Sequence, residues 1–285
     1  MDSTSSVERS PRWVARSLWI GPALTALEWA CLSSFVTHGA QFELFTDDLS
    51  RRVPTGVTLR SSQELLGRKT YRYGPRSGSH NGSLAMSADI ARLRALQRFG
   101  GWWVDTDVLC LKSFAPIDSG FRVGWEDIDG EGGATESRVN VAVMRAVAGD
   151  PLVKLLLRRA MFPWLGSPWE SSGTRLVNAV RRYQTVWDCG NIPWGWSCGP
   201  DALTQAVEFF GRSAELMPTA AFYPISWRDW RAALELDAAD LVRMSERSYG
   251  IHLWSEMFRV NSVDRDRAVR SAAWAQPYLA GYEAR

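Results

Sequence analysis

The chain reads as an α/β domain with a mostly parallel central sheet flanked by helices. Two observations predict this. Trp13–Ile20, Thr25–Thr37 and Gln41–Thr46 read as strand, helix and strand in close succession, and a β-α-β unit favours parallel pairing. The composition is ordinary for a globular protein: 285 residues, 46% hydrophobic and 22% charged, ample for one sizeable core.

The elements follow in order. The first strand ends at Gly21-Pro22, and Leu27, Cys31, Ser34 and Phe35 have helical spacing before His38-Gly39 closes the helix. Residues 67–83, rich in Gly, Ser, Arg and Tyr, read as a loop. Ser83 or Ser87 is placed to cap a helix running to about Arg98, with Leu84, Ile90, Leu93 and Leu96 turned inward. Gly100-Gly101 ends that helix, and Trp102–Val104 reads as a short buried strand. Phe121–Trp125 is predicted as a strand leading into an acidic, glycine-rich loop over 126–136, and Val139–Ala146 as a further buried strand. Asp150–Phe162 is predicted helical, with Pro151 in its first turn. Residues 163–200 carry Trp164, Trp169, Trp187, Trp194 and Trp196 among Pro, Gly and Ser, and read as a long recognition loop. Pro200–Phe210 is a helix, Phe222–Ile225 and Tyr249–Trp254 are late strands, and the end is mixed helix and tail. The expected organisation is a flexible N-terminus over 1–12, one domain over 13–260, and a C-terminal helix and tail over 261–285.

Several function classes recede on composition. A net charge of +2 without runs of like charge argues against nucleic acid. Of the 33 basic residues, all but Lys69, Lys112 and Lys154 are arginine, whose forks suit phosphates. Cys31, Cys110, Cys189 and Cys198 show no CxxC spacing, so a zinc ribbon is not expected; Cys189 and Cys198 are free to pair, but thiols in a reducing compartment are the preferred reading. The most apolar early stretch, Trp13–Val36, is broken by Arg16, Gly21, Pro22 and Glu28, short of a membrane span. The expectation is a cytoplasmic protein without a transmembrane segment, with room for peripheral membrane contact. Oligomeric state is left open.

The chemistry concentrates in FGGWWVDTDVL, residues 99–109. Asp105 and Asp107 stand two apart where the tryptophan strand runs out, so their carboxylates can converge. Such a pair suits a hard divalent cation that also holds a diphosphate, and ligands of open parallel sheets sit beyond the carboxyl ends of strands. Asp89 and Arg92, three apart on the preceding helix, share a face; the first could bind ribose or sugar hydroxyls, and the second could hold it or reach a phosphate. Trp103 shares a side with Asp105, and Trp19 is the other aromatic placed to stack on a base. His252, Trp254 and Ser255 close the last strand, where a histidine or hydroxyl could complete a metal site begun by Asp107. Glu126, Asp127 and Asp129 carry carboxylates with no evident anchor.

SADIARLRALQRFGGWWVDTDV resembles the signature of DXD-containing sugar transferases of glycosyltransferase family 32, and more distantly the glucosyltransferase domains of large clostridial toxins. LWIGPALTALEWACLSSFVTHGAQFELFTDD, RVNVAVMRAVAGDPLV, CGPDALT and IHLWSEMF resemble further segments of the family in the same order, so the likeness spans roughly residues 17–258. The resemblance implies a GT-A fold, a nucleotide-diphosphate sugar donor with a UDP-sugar favoured over a GDP-sugar, a Mn²⁺ or Mg²⁺ ion, a hydroxyl acceptor, and retention of configuration. It implies a donor half over about 13–150 and a tryptophan-rich acceptor side over about 160–235. Residue by residue it implies base stacking for Trp19, donor-sugar contact for Asp89 and Arg92, and a tyrosine's place for Trp103. It further implies ribose and sugar contact for Asp105, direct metal ligation for Asp107, a place near the reacting sugar for Asn140, and closure over the diphosphate for His252, Trp254 and Ser255. Ala88 stands where the family usually has Ser, and Trp103 lacks the tyrosine's hydroxyl; both bear on donor selectivity.

Rival readings are weaker. A sugar nucleotidyltransferase would carry a glycine-rich basic loop where this chain has IGPALTAL. GEGG at 130–133 follows no strand in the G-x-G-x-x-G manner of dinucleotide enzymes. An inactive carbohydrate-binding or scaffold protein would not need both Asp105 and Asp107 together with His252.

Overall fold

The structure, a computed structural model, describes residues 13–129, 135–184 and 194–283. Strands β1 (Val14–Trp19), β2 (Gln41–Thr46), β3 (Val57–Ser61) and β4 (Gly101–Val104) run parallel to one another. Among the other strands are β5 (Val108–Cys110), β6 (Arg122–Asp129), β7 (Thr135–Ala146), β8 (Leu216–Met217) and β9 (Gly250–His252). The central sheet has the order β3-β2-β1-β4-β7-β6-β8, and β5 pairs with β9 in a separate two-stranded sheet. Strand β7 enters antiparallel to both β4 and β6, so the sheet is mostly, not wholly, parallel. The helices are α1 (Ala26–Thr37), α2 (Gln63–Leu66), α3 (Ala85–Phe99), α4 (Pro151–Met161), α5 (Ser172–Gln184), α6 (Pro200–Phe209), α7 (Ala232–Glu235), α8 (Ala238–Ser245), α9 (Ser255–Val260) and α10 (Arg265–Ser271).

Both faces of the inner parallel strands β1, β2 and β4 are largely buried, as helix-covered sheets require. Trp13, Ala15, Phe42, Leu44, Trp102 and Val104 cluster with Leu27, Ala30 and Phe35 of α1. Leu18, Phe45 and Trp103 cluster with Met86, Ile90, Leu93 and Leu96 of α3. Alternation along β4 therefore sends Trp102 to one layer and Trp103 to the other, which carries Asp105 to the α3 side. Helix α1 starts at Thr25, whose backbone N–H donates to Glu28 at 2.8 Å. Helix α4 starts at Asp150, which accepts from the Leu152 N–H at 2.9 Å.

Several elements depart from the sequence expectation. Strand β3 and α2 were not foreseen: Val57–Ser61 is a partly exposed edge strand without clean alternation. The predicted acidic loop is largely a hairpin, because Glu126–Asp129 and Thr135–Arg138 continue the ladder through backbone pairing that polar side chains do not block. Residues 163–200 contain α5, which the surrounding Pro, Gly and Trp conceal in a compositional reading. Phe222–Ile225 is not a strand. It runs beside β9, with the Phe222 carbonyl accepting from the His252 N–H at 3.1 Å, while Tyr223 folds back onto Thr219. The last strand shortens to Gly250–His252, and β5 is an addition. Neither serine is the N-cap of α3: Leu84 holds that position without a side-chain cap, the Ser83 hydroxyl one residue earlier accepts from the Ala85 N–H at 3.1 Å, and Ser87 is buried and exchanges hydrogen bonds with the Tyr71 backbone. Residues 1–12, Trp187, Cys189 and the GEGG stretch lie outside the described residues. Among the described residues no helix is long and apolar enough to cross a membrane.

Gly100 is the joint that delivers β4 from α3. Its φ is +64°, and a Cβ there would lie 2.7 Å from the Ala148 backbone nitrogen. Gly100→Ala is expected to cost about 2–3 kcal/mol in urea unfolding, combining a left-handed backbone with a contact that backbone cannot yield. An unchanged midpoint would show that the joint tolerates a side chain.

Candidate active site

A cleft of about 710 Å³ opens beyond the carboxyl ends of β1 and β4. Trp19, Asp89, Arg92, Trp103, Asp105, Asp107, Asn140, His252, Trp254 and Ser255 all line it. Residues that are up to 236 positions apart in the chain thus meet in one concavity, brought by β1, α3, β4, β7 and the β9–α9 corner.

Arg92 is the hub of one wall. It is 3% exposed and donates from Nη1 to Asp89 Oδ1 at 2.6 Å and from Nη2 to Asp105 Oδ1 at 2.9 Å. Trp103 Nε1 donates to the same Asp105 oxygen at 2.8 Å, and the Tyr73 hydroxyl donates to Asp89 Oδ2 at 2.6 Å. Burial alone would lower the Arg92 pKa; the two aspartates outweigh it and raise it, so the guanidinium stays charged. Its Nε is buried without a partner among the described residues.

Asp107 anchors the other wall, in the turn between β4 and β5. Its Oδ2 accepts from the Ser255 backbone N–H at 2.8 Å and lies 3.3 Å from His252 Nε2. Burial would raise its pKa, but the His252 charge and these hydrogen bonds hold the carboxyl well below the usual carboxylate range. His252 answers in kind: burial would lower its pKa, and Asp107 raises it. Trp254 takes a left-handed backbone, φ 53°, which turns the chain from β9 into α9 just before the Ser255 N–H meets Asp107. A non-glycine residue held there stores strain of about 1–2 kcal/mol. The two aspartates of the motif therefore share a cleft, but each is held by its own set of partners.

Asn140 is also fixed at both ends. Its amide donates to Glu126 Oε2 at 2.7 Å, and its oxygen accepts from the Ala142 N–H at 2.7 Å. Glu126, 3% exposed and also bonded by Arg138 Nε at 3.3 Å, is the anchored carboxylate that the sequence left without a partner. Its signal was the facing pair Glu126 and Arg138, visible only once the hairpin register is known. Sequence reasoning also missed Tyr73, Arg265 and the pair His80 and Trp194. Arg265, bound to Glu28 at 3.1 Å, lies 5.6 Å from the Trp19 ring centroid. His80 stacks on Trp194 with centroids 4.7 Å apart at the rim.

The donor set fits a hard cation that takes most of its ligands from elsewhere. Among the described residues no three His, Cys, Asp or Glu side chains gather closely enough to hold a metal by themselves. Asp107, kept anionic, and the Ser255 side chain beside it are the groups that could hold such an ion.

The Asp107–His252 pair sets a pH window. His252 has its pKa raised from 6.5, so its stabilising share is complete below 6.5 and is lost as pH rises through the folded value. Asp107, lowered from 3.8, contributes fully above 3.8 and loses its share only at lower pH. In EDTA, the Tm advantage of the wild type over His252→Gln should shrink as pH rises from 6.5 to alkaline values. A difference that stays constant with pH would show that the pair is not charged in the fold.

Residues 194–278 match the family described as the alpha 1,4-glycosyltransferase conserved region, a stretch that includes His252, Trp254 and Ser255. Human lactosylceramide 4-alpha-galactosyltransferase is 24% identical over 176 residues, covering 61% of this chain and 42% of that protein. Human alpha-1,4-N-acetylglucosaminyltransferase is 23% identical over 176 residues, covering 61% of this chain and 44% of that protein. The matched stretch thus spans less than half the length of these two curated relatives. Among solved structures, the ligand-free glycosyltransferase domain from the YGT toxin aligns with a TM-score of 0.47 and 10% identity, over 87% of this chain and 88% of that chain. By sequence, the chain is similar to glycosyltransferases, over residues 194–278 to the alpha 1,4-glycosyltransferase conserved region.

Proposed function

We propose that the protein is a metal-dependent, retaining glycosyltransferase. It moves a sugar from a nucleotide-diphosphate donor, a UDP-sugar before a GDP-sugar, to a hydroxyl of a glycan, a lipid-linked glycan or a natural product. The observation that carries this is Asp107: a 7% exposed carboxylate held anionic in the cleft, two residues from an Asp105 clamped by Arg92. The names of the curated relatives, an alpha-galactosyltransferase and an alpha-N-acetylglucosaminyltransferase, support a hexose or N-acetylhexosamine as the sugar moved.

In this reading Trp19 stacks on the base, and Asp105 and Asp89 take ribose and sugar hydroxyls from positions set by Arg92. The unpartnered Arg92 Nε supports a ligand oxygen beside it. Asp107 would be the direct metal ligand, with the Ser255 hydroxyl or the His252 imidazole completing the site; in the fold described, His252 Nε2 orients the Asp107 carboxylate. A bound Mn²⁺ or Mg²⁺ supplies neutralisation of the charge that builds on the leaving diphosphate. Glu126 positions Asn140 against the reacting sugar. The bond between the anomeric carbon and the phosphate oxygen breaks, the acceptor oxygen bonds to that carbon on the same face, and its proton goes to the leaving diphosphate. Ser255 and Trp254 exclude water from the diphosphate side. Trp194 and the tryptophan-rich region about 160–235 form the acceptor side of the 13–260 domain, and 13–150 the donor half. A cytoplasmic setting is part of the proposal, in keeping with the buried, unbridged Cys31 and Cys110.

Donor consumption by the purified chain with Mn²⁺ and UDP-sugars tests the reading. Asp107→Asn should lower turnover by roughly a thousandfold, since the loss falls on stabilisation of the leaving group, while circular dichroism stays native. Wild-type turnover in that variant would overturn the assignment.

A further inference from the structure

On the outside of the domain, away from the cleft, α4 and α5 present a surface of unusual composition. Lys154 and Arg158 stand four apart on α4, both exposed, and neither has an ion-pair partner among the described residues. Just past the end of α4, Phe162 is 46% exposed, and Leu165 in the following turn is 45% exposed. Helix α5 packs against the 163–165 turn, and its Leu176, Val177 and Val180 are 67%, 50% and 52% exposed. These three lie within a 100°-wide strip of one helix face. A soluble helix normally turns such a strip inward.

The charge is as lopsided as the apolar surface. Residues 151–184 hold six basic side chains and one acidic one, in a chain whose net charge is +2. One of the six, Arg159, is buried and paired with Glu170 at 2.8 Å, whereas Lys154 and Arg158 are exposed. Aliphatic side chains on a helix, flanked by unpaired lysine and arginine, match the interfacial zone of a bilayer: the apolar groups enter the acyl boundary and the cations meet headgroup phosphates. A second copy of the chain fits poorly, because a two-fold contact through this face would set the two basic stripes against each other.

We propose that the outer face of α4, the 163–165 turn and α5 docks the protein onto an anionic lipid bilayer. None of these residues lines the cleft, so the proposal does not rest on the glycosyl-transfer reading.

Sedimentation of the full chain with vesicles tests it. The wild type should pellet with mixed phosphatidylcholine–phosphatidylglycerol vesicles, stay in solution with phosphatidylcholine alone, and be released by salt. Lys154→Ala with Arg158→Ala should weaken partitioning roughly thirtyfold, and Leu176→Glu with Val180→Glu should abolish it. Both variants should keep wild-type Tm and wild-type consumption of a soluble donor. The proposal fails if the wild type ignores anionic vesicles or if both variants pellet as it does. It also fails if light scattering shows a wild-type dimer that Leu176→Glu with Val180→Glu dissociates, which would make the face a self-contact.

Discussion

The buried carboxylate of Asp107 is the constraint on which the site depends. A charge taken out of water must be matched, and breaking a buried pair costs several kcal/mol, about 3–5. Asp107 is matched by groups from the far end of the chain: the His252 imidazole and the Ser255 N–H. Its own carbonyl accepts from the Leu253 N–H at 2.8 Å, in line with the pairing of β5 and β9. One short turn therefore ties the parallel half of the sheet to the C-terminal corner, and the cleft exists because that corner is held over it.

Arg92 does for the other wall what His252 does for this one. It is a buried cation shared between two carboxylates, one from its own helix and one from the end of β4. Removing a member would strand a charge, so the network is over-determined and its geometry is stiff before any ligand arrives. Preorganisation of that kind lets a site meet a diphosphate sugar without rearranging its own dipoles. The strained Trp254 backbone fits the same picture, a local cost carried where the chain must turn sharply to complete the cleft.

Much of this was legible in the sequence. The first β-α-β unit, the Gly100-Gly101 stop and the strand ending at Asp105 follow from periodicity and glycine placement, and the candidate residues drawn from them all reach one cleft. Pairing direction was not legible for β7, because alternation says which side chains are buried and nothing of which way the neighbouring strand runs. Glu126 shows the same limit. Its anchoring depends on cross-strand register between β6 and β7, with an irregularity at Val123 and Gly124 that no local pattern announces. Phe222 and Tyr223 misled in the opposite sense: their apolar, aromatic character reflects burial against Trp102 and Trp254, not strand pairing. Helix α5 was hidden because its flanks are rich in turn formers and its apolar strip faces outward.

The central claim is that the cleft receives a nucleoside diphosphate through a cation held at Asp107. Calorimetric titration of the wild-type protein with UDP, in Mn²⁺ and again in EDTA, addresses it directly. The account predicts saturable binding in Mn²⁺ that weakens by at least about tenfold in EDTA, since Asp107 would hold the cation that neutralises the diphosphate. Equal affinity in the two buffers, or no binding in either, would contradict it.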